Sequence, residues 1–216
     1  MTRYQRWVGL FGFVAVAFAV LSGLVAMGYF DRADALVSAF FRRHWDPALH
    51  PLFQLIAVLA GVEVTSLLTI AMGVYLWRTG FVPELWALAA FPAGIAVESA
   101  YKALLHHPGP PPSVAHADGP SLTSLFEHAQ NSYPSGHMTR AVVVYGLLAF
   151  ILYRLGPRHL QPWLAPAAAV LLALEAFDRL YLNVHWESDV LGGILLGSLA
   201  LLGGVIWLDR PQPGEP

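Results

Sequence analysis

Residues 179–189 read Arg179-Leu180-Tyr181-Leu182-Asn183-Val184-His185-Trp186-Glu187-Ser188-Asp189. The chain before them is apolar from about Trp163 to Tyr181, and the chain after them from about Ser188 to Leu208. Each stretch is close to the roughly 20 residues that an α-helix needs to cross a bilayer. The charged, aromatic link between them therefore reads as a turn at a membrane face. The pattern repeats outward, with further apolar runs from about Val8 to Phe30, Leu52 to Trp77, Pro83 to Leu105 and His137 to Tyr153. Backbone polar groups in hydrocarbon must be satisfied within the segment, so these runs are helices. The expectation is an all-α integral membrane protein with about six transmembrane helices. It forms a single domain over 1–216, with an interfacial segment at 31–46 and an outward loop at 106–134.

Composition agrees with this reading. Of the 216 residues 56% are hydrophobic and only 12% charged, about half the charge of a soluble globular chain. The net charge of -2 argues against a nucleic-acid partner, which would call for a basic face. There is no cysteine, hence no disulfide framework and no thiolate metal site. The first span follows Arg3 and Arg6, and its apolar run exceeds the 7–15 residues of a typical signal peptide, so it reads as an uncleaved anchor. Between the first two spans, Leu36, Val37, Phe40 and Phe41 recur at helical spacing ahead of Arg42, Arg43 and Trp45, which suits an amphipathic helix lying in the interface.

Arg3, Arg6, Arg78, Arg154, Arg158 and Arg210 fall on one side of the membrane, and Arg32, Arg42 and Arg43 on the other. The excess marks the side of the termini as cytoplasmic, in a bacterial plasma membrane with the site facing outward. Gly193 and Gly197 form a small-xxx-small pair suited to helix packing.

Three segments place polar residues at span ends: Lys102 closing the third span, Pro134-Ser135-Gly136-His137 opening the fourth, and Arg179 to Asp189 joining the fifth to the sixth. By span order all three share one membrane face. Charge at a membrane boundary is costly and usually functional, and Lys102 and Arg179 suit a phosphate dianion. Ser135 and Gly136 precede a helix, whose first N–H groups point at any anion placed there. His137 and His185 supply the two functions that phosphoryl transfer requires, attack at phosphorus and protonation of the leaving oxygen. Asp189, four residues beyond His185, shares its face if both lie on the first turn of the sixth span, and it can then hold one ring nitrogen while the other attacks.

These segments resemble the three signature motifs of the type 2 phosphatidic acid phosphatase (PAP2) family, in its membrane lipid phosphatase branch: Lys-x6-Arg-Pro, Pro-Ser-Gly-His and Ser-Arg-x5-His-x3-Asp. The second is complete at 134–137, and Arg179, His185 and Asp189 keep the spacing of the third. The resemblance implies that His185 is the nucleophile, forming a phosphohistidine, and that Asp189 orients it. His137 is then the general acid, and Lys102, Ser135, the Gly136 N–H and Arg179 hold phosphate. It also implies that no metal or cofactor takes part. The substrate class is a membrane lipid phosphate or diphosphate, among undecaprenyl diphosphate, phosphatidic acid and phosphatidylglycerol phosphate. Two positions depart from the pattern: Gly109 stands where the family has arginine, and Asp178 stands where it has serine. A phosphotransferase on the same scaffold and a non-catalytic lipid-phosphate binder are the alternatives. The sequence sets no oligomeric state.

Arg140, three residues after His137, lies on the same helix face and is expected to replace the missing arginine as a phosphate ligand. The competing expectation is a structural ion pair with Glu98, Glu175 or Asp178. Glu98–Lys102 and Glu175–Arg179 are each spaced for an intrahelical pair. Glu63 has no partner in its own helix and is a candidate supporting group at the site. His106, His107, His116 and His128 match no usual zinc spacing and suit headgroup contacts in the loop.

Overall fold

The structure, a computed structural model, describes residues 2–116 and 131–211. The Thr2 side chain caps the Gln5 N–H, and Gln5 returns the bond, opening α1 (Arg3–Ala26). Then come α2 (Asp31–Arg43), α3 (His50–Ala60) and α4 (Val62–Arg78), a 3-10 segment Val82–Ala89 running into α5 (Ala90–Leu104), α6 (Gly136–Leu155), α7 (Gln161–Tyr181) and α8 (Glu187–Leu208). Among the described residues the only β pairing is an isolated bridge between Pro108 and Asn131.

Among the described residues five helical stretches are long and apolar enough to cross a membrane: Arg3–Ala26, Pro47–Arg78, Gly136–Leu155, Arg158–Tyr181 and Glu187–Leu208. The expected span at 83–105 differs. It is split into eight 3-10 residues and a 15-residue α-helix, and it carries Glu84, Glu98 and Lys102. Pro92 has no N–H, so it sits in the first turn of α5, where none is needed. The 52–77 span is also divided, at Gly61. Glu63 consequently lies in the first turn of α4, where an acidic side chain complements the helix dipole.

Phe13, Val16, Leu55, Leu67, Ile70 and Val170 are all more than half exposed, a surface that suits hydrocarbon and not water. The centre is the pair α6 and α8. A Cβ on Gly193 would lie 2.7 Å from Met138 Cβ, and one on Gly197 2.7 Å from Val142 Cβ, so both glycines mark the closest approach of the two helices. Arg3 pairs with Asp209 at the far end of α8, which brings the start and end of the bundle to one face.

The segment at 31–46 is helical over 31–43, but it turns a polar face inward. Leu36 and Phe40 are exposed, whereas Asp34, Ser38 and Phe41 are buried. Phe41 packs against Tyr181 and Phe177. Ser38 Oγ donates to Asn183 Oδ1 at 2.6 Å, and Asp34 accepts from Ser188. The segment is thus docked on the link between α7 and α8. The middle of the expected 106–134 loop lies outside the described residues.

Candidate active site

Asn183 has φ +51°, the left-handed conformation that asparagine adopts most readily after glycine, and it ends α7. The reversal points His185 back at the bundle just before α8 begins. Asp189, in the first turn of α8, uses Oδ2 twice: it accepts the Trp186 N–H at 2.9 Å and His185 Nδ1–H at 3.3 Å. The carboxylate therefore closes the helix start and orients the imidazole with Nδ1 toward it, so that Nε2 is the ring nitrogen turned away from the carboxylate.

The Ser135 N–H donates to the Asp189 backbone carbonyl at 3.0 Å, locking the start of α6 to the start of α8. Ser135 is the N-cap of α6, its hydroxyl accepting from Met138 N at 3.4 Å. Gly136 opens the helix and His137 follows it, both buried. His137 lies within electrostatic reach of Arg179, Arg140, His185 and Lys102. The expected site residues are in this way gathered round the N-terminus of α6.

The cations carry carboxylate partners. Lys102 Nζ stands 2.8 Å from Glu98 Oε1, as the i,i+4 spacing predicts. Arg140 Nη1 is 3.8 Å from the other oxygen of the same Glu98, its Nε donates to the Ala60 carbonyl at 3.2 Å, and Nη2 lies 3.3 Å from His137 Nδ1. Arg140 therefore has both the expected acidic partner and a direct contact with a candidate catalytic histidine. Arg179 is fully buried, with Nε 2.8 Å from Asp178 Oδ2 and 3.2 Å from Glu175 Oε1. Asp178, the residue replacing the family serine, so lies directly on the guanidinium. Gly109 is held near the site because Trp186 Nε1 donates to the Pro108 carbonyl at 2.8 Å.

Two participants escaped the sequence reading. Asp34 accepts both the Ser188 N–H (2.9 Å) and its hydroxyl (2.7 Å). Burial pushes its carboxyl up, and the two Ser188 bonds oppose the shift. The signal was present, since Asp34, Ser38 and Phe41 recur at helical spacing, yet polar residues on an interfacial helix read as its wet face. His107 is buried, with Nε2 at 3.4 Å from Asp189 Oδ1, whereas His106 is exposed and His116 stacks on Trp45. The loop histidines are thus dispersed, and His128 lies outside the described residues. Among the described residues no group of three or more His, Cys, Asp or Glu could hold a metal ion.

A family model, that of the PAP2 superfamily, matches residues 83–212, and the chain belongs to that superfamily. Every expected site residue falls in the matched region; Asp34 precedes it. The chain is 37% identical over 83 residues to phosphatidylglycerophosphatase B of Bacillus subtilis (strain 168), covering 37% of this chain and 40% of that one. It is 36% identical over 84 residues to the putative undecaprenyl-diphosphatase YbjG of Escherichia coli (strain K12), covering 38% of each. The matched stretch thus spans about two fifths of these relatives. In fold the chain is similar to the crystal structure of a transmembrane PAP2-type phosphatidylglycerolphosphate phosphatase from Bacillus subtilis. That likeness has a TM-score of 0.80 and 22% identity, and it covers 94% of this chain and 97% of the other.

Proposed function

We propose that this member of the PAP2 superfamily is a metal-independent phosphatase of membrane lipid phosphates or diphosphates, working through a phosphohistidine at His185. The carrying observation is the pair His185–Asp189, whose Nδ1–Oδ2 contact leaves Nε2 as the attacking atom. Attack forms the P–Nε2 bond and breaks the bond from phosphorus to the leaving oxygen, which takes a proton from His137. His137 gives this proton from its imidazolium form and is left as neutral imidazole, ready to take a proton back from the attacking water. Water then attacks the phosphohistidine, returning a proton to His137 and releasing inorganic phosphate. Lys102, Arg179, Arg140, Ser135 and the Gly136 N–H hold the phosphoryl oxygens as charge develops.

A lipid substrate is supported by an apolar groove of about 660 Å³ between α1, α5 and α8. None of the candidate site residues lines it, but Tyr101 does, next in the chain to Lys102. A hydrocarbon tail lying there delivers its headgroup to the site. The relatives are named for phosphatidylglycerophosphate and undecaprenyl diphosphate, and an outward-facing site favours a polyprenyl carrier. The Arg3–Asp209 contact calls for an even number of crossings, with the 82–104 segment as the sixth beside five membrane helices. A reporter after Pro216 should read cytoplasmic and a tag near Ala117 external, both positions lying outside the described residues. The activity itself is tested by purified protein supplied with a panel of lipid phosphates and no acceptor but water. Release of inorganic phosphate, lost in His185→Ala, is the expected result. No release from any lipid would overturn hydrolysis in favour of a transferase or a binder.

A further inference from the structure

Asp189 is fully buried, and its two oxygens are used unequally. Oδ2 takes the Trp186 and His185 N–H groups. Oδ1 has no hydrogen-bond partner, and the polar atom facing it is Nε2 of His107, at 3.4 Å. A buried carboxylate oxygen without a donor is costly, so this approach needs a physical reading.

His107 is held from several directions. Its N–H donates to Asn131 Oδ1 at 3.1 Å, and its carbonyl accepts from Ser132 N at 2.9 Å and Ser132 Oγ at 3.2 Å. Asn131 in turn donates to the Lys102 carbonyl at 2.8 Å, and Tyr133 meets the imidazole edge-on at 6.1 Å. Nε2 also lies 3.4 Å from Ser188 Oγ. The Ser188 hydroxyl spends its hydrogen on Asp34 Oδ2, at 2.7 Å, so only lone pairs remain to face His107. With Ser188 Oγ on one side and Asp189 Oδ1 on the other, Nε2 has two acceptors before it and must carry the proton.

We propose that His107 is a positioning residue for the His185 nucleophile, its Nε2–H holding the Asp189 oxygen that His185 does not use. The carboxylate is then gripped at both oxygens, and Asp34 holds His107 in place through Ser188. A carboxylate anchored at one oxygen alone can swing about its last bond and let His185 adopt its other tautomer, with the proton on the attacking nitrogen. The inference rests on the reading of His185 as the nucleophile.

The test compares wild type, His107→Phe and His107→Gln as full-length protein in detergent, with p-nitrophenyl phosphate and a lipid phosphate as substrates and vanadate as the phosphate probe. His107→Phe should lower kcat roughly 10- to 100-fold, the usual scale for losing a partner that orients a reacting group. KM and vanadate affinity should stay unchanged. The loss should be the same on both substrates, because the defect lies in attack and not in the leaving group. Gln keeps an N–H donor and should recover most of the rate. Nitrogen NMR of labelled histidine reads the tautomer directly: His185 should be protonated at Nδ1 in wild type and shift toward Nε2 in His107→Phe. Wild-type kcat in His107→Phe, or equal loss in the Phe and Gln variants, would overturn the proposal. If wild type releases no phosphate, the phosphatase reading fails, and an unchanged His185 tautomer in His107→Phe would still overturn the positioning role separately.

Discussion

Replacing Gly136 by alanine should destabilise the protein by about 2–4 kcal/mol, and the same replacement in a Glu98→Ala background should not. A Cβ at residue 136 would lie 2.7 Å from Glu98 Cδ and 2.8 Å from Oε2, against the roughly 3.5–4 Å at which carbon contacts are favourable. Glu98 would have to retreat by about 1 Å. Its Oε1 now stands 2.8 Å from Lys102 Nζ. At an effective dielectric constant of about 20, widening that gap by about 1 Å weakens the attraction from about 6 to about 4 kcal/mol. Overpacking alone commonly costs about 1–3 kcal/mol, while alanine gains at most about 1 kcal/mol over glycine in a helix. With Glu98 truncated the obstruction is gone and only the alanine gain remains, so the effect of the substitution changes sign. Thermal unfolding of the four proteins in detergent measures the cycle, at about 2–4 °C per kcal/mol for a chain of this length. Equal effects of Gly136→Ala in both backgrounds would refute the reasoning, because Glu98 would then not be what excludes a side chain there.

Other outcomes follow from the same geometry. His137→Ala should be severely slowed on lipid substrates but less so on p-nitrophenyl phosphate, whose leaving group needs little protonation; an equal loss on both would argue against the acid role. Activity should survive EDTA and be inhibited by vanadate, and complete loss in EDTA with rescue by zinc would point to a metal held by the loop histidines. Arg140→Ala should depress turnover more than thermal stability, and Gly109→Arg should restore part of it, although its Cβ would lie a tight 3.2 Å from Ser132 Cβ. A variant that loses stability with little loss of turnover, and that Gly109→Arg does not rescue, would make Arg140 a purely structural ion-pair partner.

The proximity of the candidate site residues could be read from the sequence because the parts are local. His185 and Asp189 are four residues apart, and their contact needs only that the chain turn into the start of α8, which Trp186 caps. Ser135, Gly136 and His137 need only a helix start, and span order brings both groups to one membrane face. The missing parts depend on tertiary choices that spacing does not encode. Four histidines occupy one loop region, and nothing in their spacing distinguishes His107, which turns inward, from exposed His106. Glu98 reads as the intrahelical partner of Lys102, which it is, but its second oxygen reaches across to Arg140 on α6. Asp34 sits on a helix judged by its apolar residues, and the face that docks carries Asp34 and Ser38 beside Phe41.

The charge around the site bears on the two departures from the family pattern. Lys102, Arg140 and Arg179 face Glu98, Glu175 and Asp178, so the carboxylates already match the cations in number. Burying cations without such partners would be prohibitive, whereas pairing them holds each near its working position before substrate arrives. The consequence is that an incoming phosphate dianion competes with carboxylates for the same guanidinium and ammonium groups. A family arginine at position 109 would approach from the loop. Arg140 approaches instead from within α6, tied to Ala60 and Glu98 and touching His137. On the proposed mechanism one cation would serve both phosphate and the acid that protonates its leaving group. Removing it should couple the two steps in kinetics, since binding and leaving-group protonation would fail together and not separately.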